Sequence, residues 1–273
     1  MLRRKAVWMV FKKRIIIGGL PRSGSTLLRF LLDSSKDIIA GPETRFFLEP
    51  LYRHHLLEEK NSSTSQTLLN KLGIDKDKSI DIMHAAKHSI GAFDEIMREY
   101  AKAARVTKAA WAEKTPANCF HYHRLAAEDN NLYFISTVRN GLDVITSKRD
   151  EESKDYWCSV QRYNDTMRSI YSCTHNRHFI LRYEQLVEFP EATLRSLFDF
   201  LGLFFEDKIL EEYNKESMTR DLTKVNQPKL VNPIEKTWVN RYKDEKHKER
   251  VEEFLDNEEA VHWHTYSGYT LPE

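Results

Sequence analysis

The chain has 273 residues and carries 42 Lys and Arg side chains against 41 Asp and Glu, which leaves a formal net charge of +1. This balance excludes a protein-wide field that recruits nucleic acid or an anionic membrane, so any anion must be bound by a local arrangement of groups. Three widely spaced cysteines without a CxxC pair are typical of unpaired thiols in a reducing compartment.

The apolar stretches of the sequence are too short for a membrane span or a signal peptide. The first of them, Ala6 to Phe11, is interrupted by Lys12 and Lys13, whereas a spanning helix needs about 20 residues. We therefore expect one soluble, cytoplasmic domain over residues 1–273, with neither a membrane nor a nucleic acid as partner. The oligomeric state is open, with a homodimer among the expectations.

A strand, a glycine-bearing turn and a helix are predicted near the N-terminus. Residues 14–19 contain a continuous β-branched run, Ile15–Ile17, that stops at paired glycines, as expected of a buried strand. From Ser25 onward, leucine and phenylalanine recur at helical spacing. The order of strand, turn and helix is the beginning of an α/β unit.

Later segments continue this alternation. The charged segment 54–105 has helical periodicity, and strands are predicted at Leu132–Val138 and at His178–Tyr183, the second of which is followed by a helix that begins at Pro190. The pattern weakens over residues 206–273, which we expect to form a C-terminal cover. Repeated alternation predicts an α/β fold: a single domain with a mostly parallel central sheet flanked by helices.

Residues 19–26, GLPRSGST, have the glycine spacing of a phosphate-binding P-loop. Placed between a strand and a helix, successive backbone amides and the helix N-terminus can surround a phosphate. The lysine that follows the second glycine in nucleoside triphosphatases is replaced by Ser25, which disfavours triphosphate hydrolysis. Arg22 supplies a charge inside the loop instead. The segment predicts a P-loop-like anion site.

A second anion site is predicted at Arg139 and Ser147. Arg139 follows the predicted strand Leu132–Val138, and Ser147 lies about two helical turns beyond, where parallel α/β sheets place their ligand groups. Arginine suits a phosphate through its planar fork and permanent charge. Taken alone, the segment is equally compatible with an arginine in a surface turn.

Pro21–Leu28, PRSGSTLL, resembles the 5'-phosphosulfate loop of sulfotransferases that use 3'-phosphoadenosine 5'-phosphosulfate (PAPS). The Arg139–Ser147 spacing resembles the pattern that holds the 3'-phosphate in this family, and Leu181–Leu203 resembles its late strand and helix. The matched segments cover much of residues 14–50 and 111–205, the predicted core, so that 54–105 becomes an acceptor-side insertion. The resemblance implies PAPS as donor and 3',5'-adenosine bisphosphate as product. It implies that the 5'-phosphate is surrounded by Arg22, Ser23, Gly24, Ser25 and Thr26, that the 3'-phosphate is held by Arg139 and Ser147, and that the nucleotide is contacted by Tyr183 and Lys236.

Gly41–Arg45, GPETR, is similar to the G-E-E-T-R stretch of the tyrosylprotein branch of that family. The resemblance implies that Glu43 is the catalytic base that accepts the proton of an acceptor hydroxyl. Arg45 is a candidate to hold an acidic acceptor or to orient Glu43, with a simple surface ion pair as an equal alternative. Pro42 departs from the branch, which leaves acceptor recognition open. Lys114 resembles the family lysine that supplies a cation where negative charge develops.

The remaining candidates carry weaker signals. Thr223 and Lys229 are further polar residues that the C-terminal region offers to a nucleotide. His84 and His88 have the spacing of a zinc helix, but the glutamate of that motif and a third ligand are missing. We predict no metal.

The resulting hypothesis is a sulfotransferase that moves a sulfuryl group from PAPS to the hydroxyl of a carbohydrate, a tyrosyl residue or a small alcohol. A P-loop kinase or nucleotide hydrolase is one alternative, disfavoured by the missing P-loop lysine and by the separate Arg139 and Ser147 pair. A catalytically inactive nucleotide-binding module is another, opposed by the presence of Glu43 and Lys114.

Overall fold

The centre of the molecule is a sheet of five parallel strands in the order β2-β3-β1-β4-β5. The computed structural model describes residues 10–50, 72–148, 155–213 and 234–272. The predicted α/β class is confirmed. The strands are β1 Lys13–Gly19, β2 Ile38–Ala40, β3 Ala110–Lys114, β4 Tyr133–Val138 and β5 His178–Arg182.

Helices cover both faces of the sheet, as the crossover connections between parallel strands require. Short 3-10 turns at Phe46–Leu48, Pro116–His121, Arg241–Lys243 and Glu245–His247 join some of them. The α-helices with defined bounds are α1 Ser25–Asp33, α2 Lys76–Ala85, α3 Ser89–Ala103, α4 Tyr122–Glu128, α5 Gly141–Ile145, α6 Val160–Tyr171, α7 Tyr183–Glu188, α8 Pro190–Leu201, α9 Lys248–Leu255 and α10 Glu258–Tyr266.

The isoleucine run of β1 supplies both hydrophobic cores of the domain. Because successive side chains of a strand point to opposite faces, Ile16 packs in one core, while Ile15 and Ile17 pack in the other. The Ile16 core includes residues of α3, α4 and α6, and the second core is filled by α1 and α8. Both faces of β1 are buried from Ile15 onward, which explains why Ile15–Ile17 form a continuous apolar run.

The predicted strands at 14–19, 132–138 and 178–183 are confirmed to within one residue at each end. Within the predicted insertion, helices cover Lys76–Ala85 and Ser89–Ala103. Residues 51–71, Thr223 and Lys229 lie outside the described residues. In the four described ranges, no helix is both long enough and apolar enough to cross a membrane. The cytoplasmic location and the homodimer stay predictions.

Candidate active site at the carboxyl edge of the sheet

All five strands deliver a candidate residue to the same edge of the sheet. Since the strands are parallel, their carboxyl ends meet at one edge, which is where α/β folds place ligands. Neighbouring strands lie about 4.8 Å apart, so five of them span about 19 Å. In sheet order, the carboxyl ends lead into Glu43, Lys114, the loop 19–24, Arg139 and Tyr183.

The loop 19–24 leaves the first amides of α1 without a side-chain cap. Gly24 precedes the helix in the left-handed conformation, with a φ of 79°, and no side chain bonds to the helix start. Ser23 is fully buried: its hydroxyl donates to the Leu20 carbonyl over 2.5 Å and lies 2.6 Å from Thr137 Oγ1. Ser23 thus fixes the loop from inside, while Ser25 and the half-buried Thr26 begin the helix with free amides that suit an anion.

Arg139 is a buried guanidinium whose hydrogen-bonding capacity is only partly used. Its Nη1 donates to the Arg22 carbonyl over 2.8 Å, and its Nη2 donates to the Trp238 carbonyl and lies 3.5 Å from Asp143 Oδ2. Its carbon Cζ lies 4.9 Å from the centre of the Tyr183 ring. Among the described residues, Arg139 Nε has no partner although it is buried. A buried donor without an acceptor is rare and needs an explanation, of which a bound anion beside Arg139 is one.

Arg22, which belongs to the loop 19–24, lines one cavity together with Arg139 and Ser147. Its Nε donates to Ser147 Oγ over 3.1 Å. Burial, followed by the nearby charge of Arg139, lowers the pKa of Arg22. Two arginines that face one cavity repel each other, and a bound anion relieves that repulsion. The structure therefore brings Arg22 together with Arg139 and Ser147, next to the loop that carries it.

This cavity has a volume of about 140 Å³ and is strongly basic. Lys148, Arg241 and Lys246 also line it, and among the described residues the carboxylate of Asp143 is its only acidic group. Lys236 does not line it: the side chain is 60% exposed, and its Nζ lies 3.8 Å from Glu188 Oε1. Sequence reasoning missed Arg241, because nothing in a charged C-terminal segment distinguishes one basic residue from its neighbours.

The candidate residues form a row along the carboxyl edge of the sheet. Glu43 and Lys114 form an ion pair at the end of this row that is opposite Tyr183. Lys114 Nζ lies 2.5 Å from Glu43 Oε2, and their side chains are 7% and 37% exposed. The lysine is therefore held inside the protein, while the carboxylate reaches solvent, where an acceptor can approach it. Arg45 is exposed and has a left-handed backbone, with a φ of 57°; its amide donates to Thr115 Oγ1 over 3.1 Å.

A family model described as "Sulfotransferase family" matches residues 14–207, which include this whole row. The chain belongs to the sulfotransferase family. A protein-tyrosine sulfotransferase 2 from Gallus gallus is 27% identical over 207 residues, covering 72% of this chain and 53% of the relative. A protein-tyrosine sulfotransferase from Drosophila melanogaster is 27% identical over 238 residues, covering 81% and 45%. The chain thus spans about half the length of these relatives.

Solved structures support the sulfotransferase fold over nearly the whole chain. The sulfotransferase domain of the Synechococcus PCC 7002 olefin synthase superposes with a TM-score of 0.68 at 20% identity, covering 95% of each chain. The sulfotransferase domain of the curacin biosynthetic pathway gives a TM-score of 0.64 at 19% identity, covering 96% of this chain and 99% of that one. At this level of identity the likeness concerns the fold alone.

The residues of this site fit a doubly anionic nucleotide. The uncapped amides at Gly24–Thr26 suit one phosphate, and the basic cavity, with the unpartnered Arg139 Nε, suits a second. The two anion sites lie on the adjacent strands β1 and β4. Within the described ranges, no group of three His, Cys, Asp or Glu side chains is placed to bind a metal.

Proposed function

We propose that this chain is a PAPS-dependent sulfotransferase that transfers a sulfuryl group to an acceptor hydroxyl and releases 3',5'-adenosine bisphosphate. The observation that carries the proposal is the row along the sheet edge: two separate anion sites, continued by a carboxylate and a lysine. A triphosphate needs no second anion site apart from the loop, whereas a nucleotide with a 3'-phosphate does. The family match over residues 14–207 supports this assignment.

The donor's two anionic ends match the two anion sites. The amides of Gly24, Ser25 and Thr26 would hold the 5'-phosphate, because they have no side-chain partner at the helix start. Arg139, Arg22 and Ser147, joined by Arg241, would hold the 3'-phosphate in the basic cavity.

The remaining pair performs the chemistry in this proposal. PAPS, when bound, supplies a sulfuryl group whose bond to the phosphate oxygen breaks as the acceptor oxygen bonds to sulfur. Glu43 accepts the proton of the acceptor hydroxyl, because its carboxylate is the solvent-facing member of the pair. Lys114 is fixed by burial, so its ammonium stabilises negative charge that develops during transfer without first having to be ordered.

The acceptor classes to test are a tyrosyl residue, a carbohydrate and a small alcohol. The names of the relatives, protein-tyrosine sulfotransferases, make a tyrosyl peptide the first choice. Arg45 is exposed and is proposed to contact the acceptor, since it lies two residues after Glu43.

Labelled PAPS and a panel of the three acceptor classes test the proposal directly. We expect label transfer to at least one acceptor, and we expect Glu43→Gln to lower turnover by about 100-fold or more, since a positioned base contributes roughly 10²–10⁴-fold. Glu191→Gln, an exposed carboxylate of α8 paired with Arg195, is the matched control and should retain full turnover.

Nucleotide binding separates this proposal from its alternatives. Tight binding of ATP with magnesium, together with no binding of 3',5'-adenosine bisphosphate, would support a kinase or hydrolase and overturn the proposal. Binding of the bisphosphate without transfer to any acceptor would instead indicate an inactive nucleotide-binding module.

A further inference from the structure

Glu113 is a buried carboxylate that precedes Lys114 in the chain and is hydrogen-bonded to Thr44, the residue after Glu43. It lies on β3, beside Lys114, and is 2% exposed. Its Oε1 accepts hydrogen bonds from the Thr44 hydroxyl over 2.8 Å, the Thr44 amide over 3.3 Å and the Thr115 hydroxyl over 2.8 Å. Its Oε2 accepts from Asn118 Nδ2 over 2.6 Å. These donors are all neutral, and no basic side chain among the described residues pairs with Glu113.

A buried carboxylate without a cationic partner loses solvation and lowers stability, so packing alone does not explain its presence. Burial raises the pKa of Glu113, although the hydrogen bonds from Asn118, Thr115 and Thr44 oppose the shift. An apolar residue or an amide would fill this volume with less loss of solvation. The position of the donors gives a reason for the carboxylate, since Thr44 adjoins Glu43 and Thr115 adjoins Lys114 in the sequence.

The hydroxyls of Thr44 and Thr115 connect Glu113 through hydrogen bonds to the backbone that follows Glu43. Thr44 Oγ1 donates to Glu113 and accepts from the Phe46 amide over 3.2 Å. Thr115 Oγ1 donates to Glu113 and accepts from the Arg45 amide over 3.1 Å. Because each hydroxyl points its hydrogen at the carboxylate, its lone pairs face an amide of the segment 44–46. One carboxylate therefore orders three consecutive amides next to Glu43.

We propose that Glu113 is a positioning residue that fixes the segment containing Glu43 relative to Lys114 for the transfer reaction. The inference rests on the proposed function for its effect on turnover. Glu113 touches neither donor nor acceptor in this role, and it acts through Thr44 and Thr115. The atom that matters is Oε1, which carries all the contacts to these two threonines.

Two pairs of variants test the role of this oxygen. Glu113→Met keeps the volume and removes the acceptors. Glu113→Gln keeps Oε1; if Asn118 turns its unpartnered Oδ1 toward the new amide, only the bond from its Nδ2 to the Ile17 carbonyl is given up, and the contacts to the two threonines are kept. Thr44→Val removes the Thr44 hydroxyl, while Thr44→Ser keeps it. We expect Glu113→Met and Thr44→Val to lower kcat by about 10- to 100-fold, as for a misplaced catalytic group, with KM for PAPS within about twofold. Glu113→Gln and Thr44→Ser should retain most of kcat.

Asp94→Asn controls for general destabilisation. Asp94 is a buried carboxylate that pairs with Arg14 and accepts from Trp111 Nε1, at the amino end of β1 and β3 and away from the row. This variant should be less stable and yet keep the kcat of the folded enzyme. If Thr44→Val and Glu113→Met keep kcat like Asp94→Asn, Glu113 is structural only and the inference is wrong.

Hydrogen exchange separates this inference from the proposed function, because it needs neither donor nor acceptor. The amides of Thr44, Arg45 and Phe46 should exchange faster in Glu113→Met than in the wild type, and the Phe46 amide, which loses its acceptor, should exchange faster in Thr44→Val. All three should exchange at wild-type rates in Thr44→Ser and Asp94→Asn. Unchanged exchange in Glu113→Met and Thr44→Val would overturn the inference even if the enzyme is active. Faster exchange in a protein that transfers no sulfuryl group would support the anchoring and refute the proposed function instead.

Discussion

Arg139 combines three tasks in one side chain. It joins the loop 19–24 through the Arg22 carbonyl, joins the C-terminal segment through the Trp238 carbonyl, and lines the basic cavity. A lysine cannot make these contacts together, because it is a single point charge without a planar fork. In the proposed function, recognition of a 3'-phosphate would thus depend on the shape of the guanidinium as well as on its charge.

Arg139→Ala should weaken binding of 3',5'-adenosine bisphosphate far more than binding of adenosine 5'-phosphate. Loss of hydrogen bonds to a charged group costs about 1.5–3 kcal/mol, so we expect a loss of about 10- to 100-fold for the bisphosphate. Isothermal titration calorimetry with both nucleotides measures the difference. Equal losses for the two nucleotides would contradict a specific role for Arg139 at the 3'-phosphate.

The raised pKa of Glu113 predicts how stability depends on pH. Because burial raises the folded-state pKa above the unfolded one, the unfolded state loses its proton first as pH rises. The contribution of Glu113 to the free energy of unfolding is therefore greatest below the unfolded pKa and falls as pH rises through the folded pKa. As pH rises from the unfolded pKa of Glu113 to its folded pKa, the free energy of unfolding of Glu113→Gln should increase relative to that of the wild type. Denaturant titrations at several pH values measure this difference, and a constant difference would be inconsistent with the shift.

At the scale of elements, the turn from β1 to α1 depends on Gly24. Its φ of 79° is a left-handed conformation, and a Cβ built there meets Tyr183 Cδ2 at 2.5 Å. The glycine therefore permits both the turn and the close approach of the first residue of α7. The loop 19–24 and Tyr183 belong to different strand ends, and their contact fixes the distance between them.

Gly24→Ala should lower the free energy of unfolding by about 2–5 kcal/mol, through backbone strain and overpacking together, and should weaken nucleotide binding. Gly202→Ala is the matched control, since Gly202 also has a positive φ, of 60°, but a Cβ there meets only Lys13 Nζ at 3.5 Å. It should lose stability and keep nucleotide affinity. Thermal melts with and without the bisphosphate give both quantities, and equal nucleotide affinity in the two variants would refute the role of the Gly24 contact.

Three of the five strands were predictable from their apolar runs, whereas β2, which has only three residues, and β3 were not. The sequence of β3, AWAEK, ends in Glu113 and Lys114, which look like surface residues until their partners are known. Glu113 bonds to Thr44, which is distant in sequence, and Lys114 pairs with Glu43. β3 was therefore not predicted, because it ends in two buried polar residues, Glu113 and Lys114, whose partners are distant in the sequence. The two-anion arrangement, in contrast, follows strand ends that the hydrophobic pattern indicates.

At the scale of the whole molecule, the site joins the sheet edge to the C-terminal segment. Asp143, fully buried, accepts hydrogen bonds from the amides of Asn240 over 2.9 Å and Tyr242 over 3.1 Å, and lies 3.5 Å from Arg139 Nη2. This carboxylate brings Trp238 and Arg241 to the cavity. The contribution of Arg241 was unpredictable, because it depends on a backbone interaction between segments about 100 positions apart in the sequence.

Asp143→Asn should detach the segment that carries Trp238 and Arg241. One carboxylate oxygen becomes an NH₂ group that faces a backbone amide, and Arg139 loses its counter-charge, a change that costs about 3–5 kcal/mol for a buried pair. We expect faster hydrogen exchange at the Asn240 and Tyr242 amides and weaker binding of 3',5'-adenosine bisphosphate. Asp94→Asn, which removes a buried charge elsewhere, should leave these two amides protected. Because the bisphosphate would bind both the sheet edge and this segment, its addition should restore part of the protection in Asp143→Asn. Protection that does not respond to the nucleotide would mean that the C-terminal segment is not part of its site.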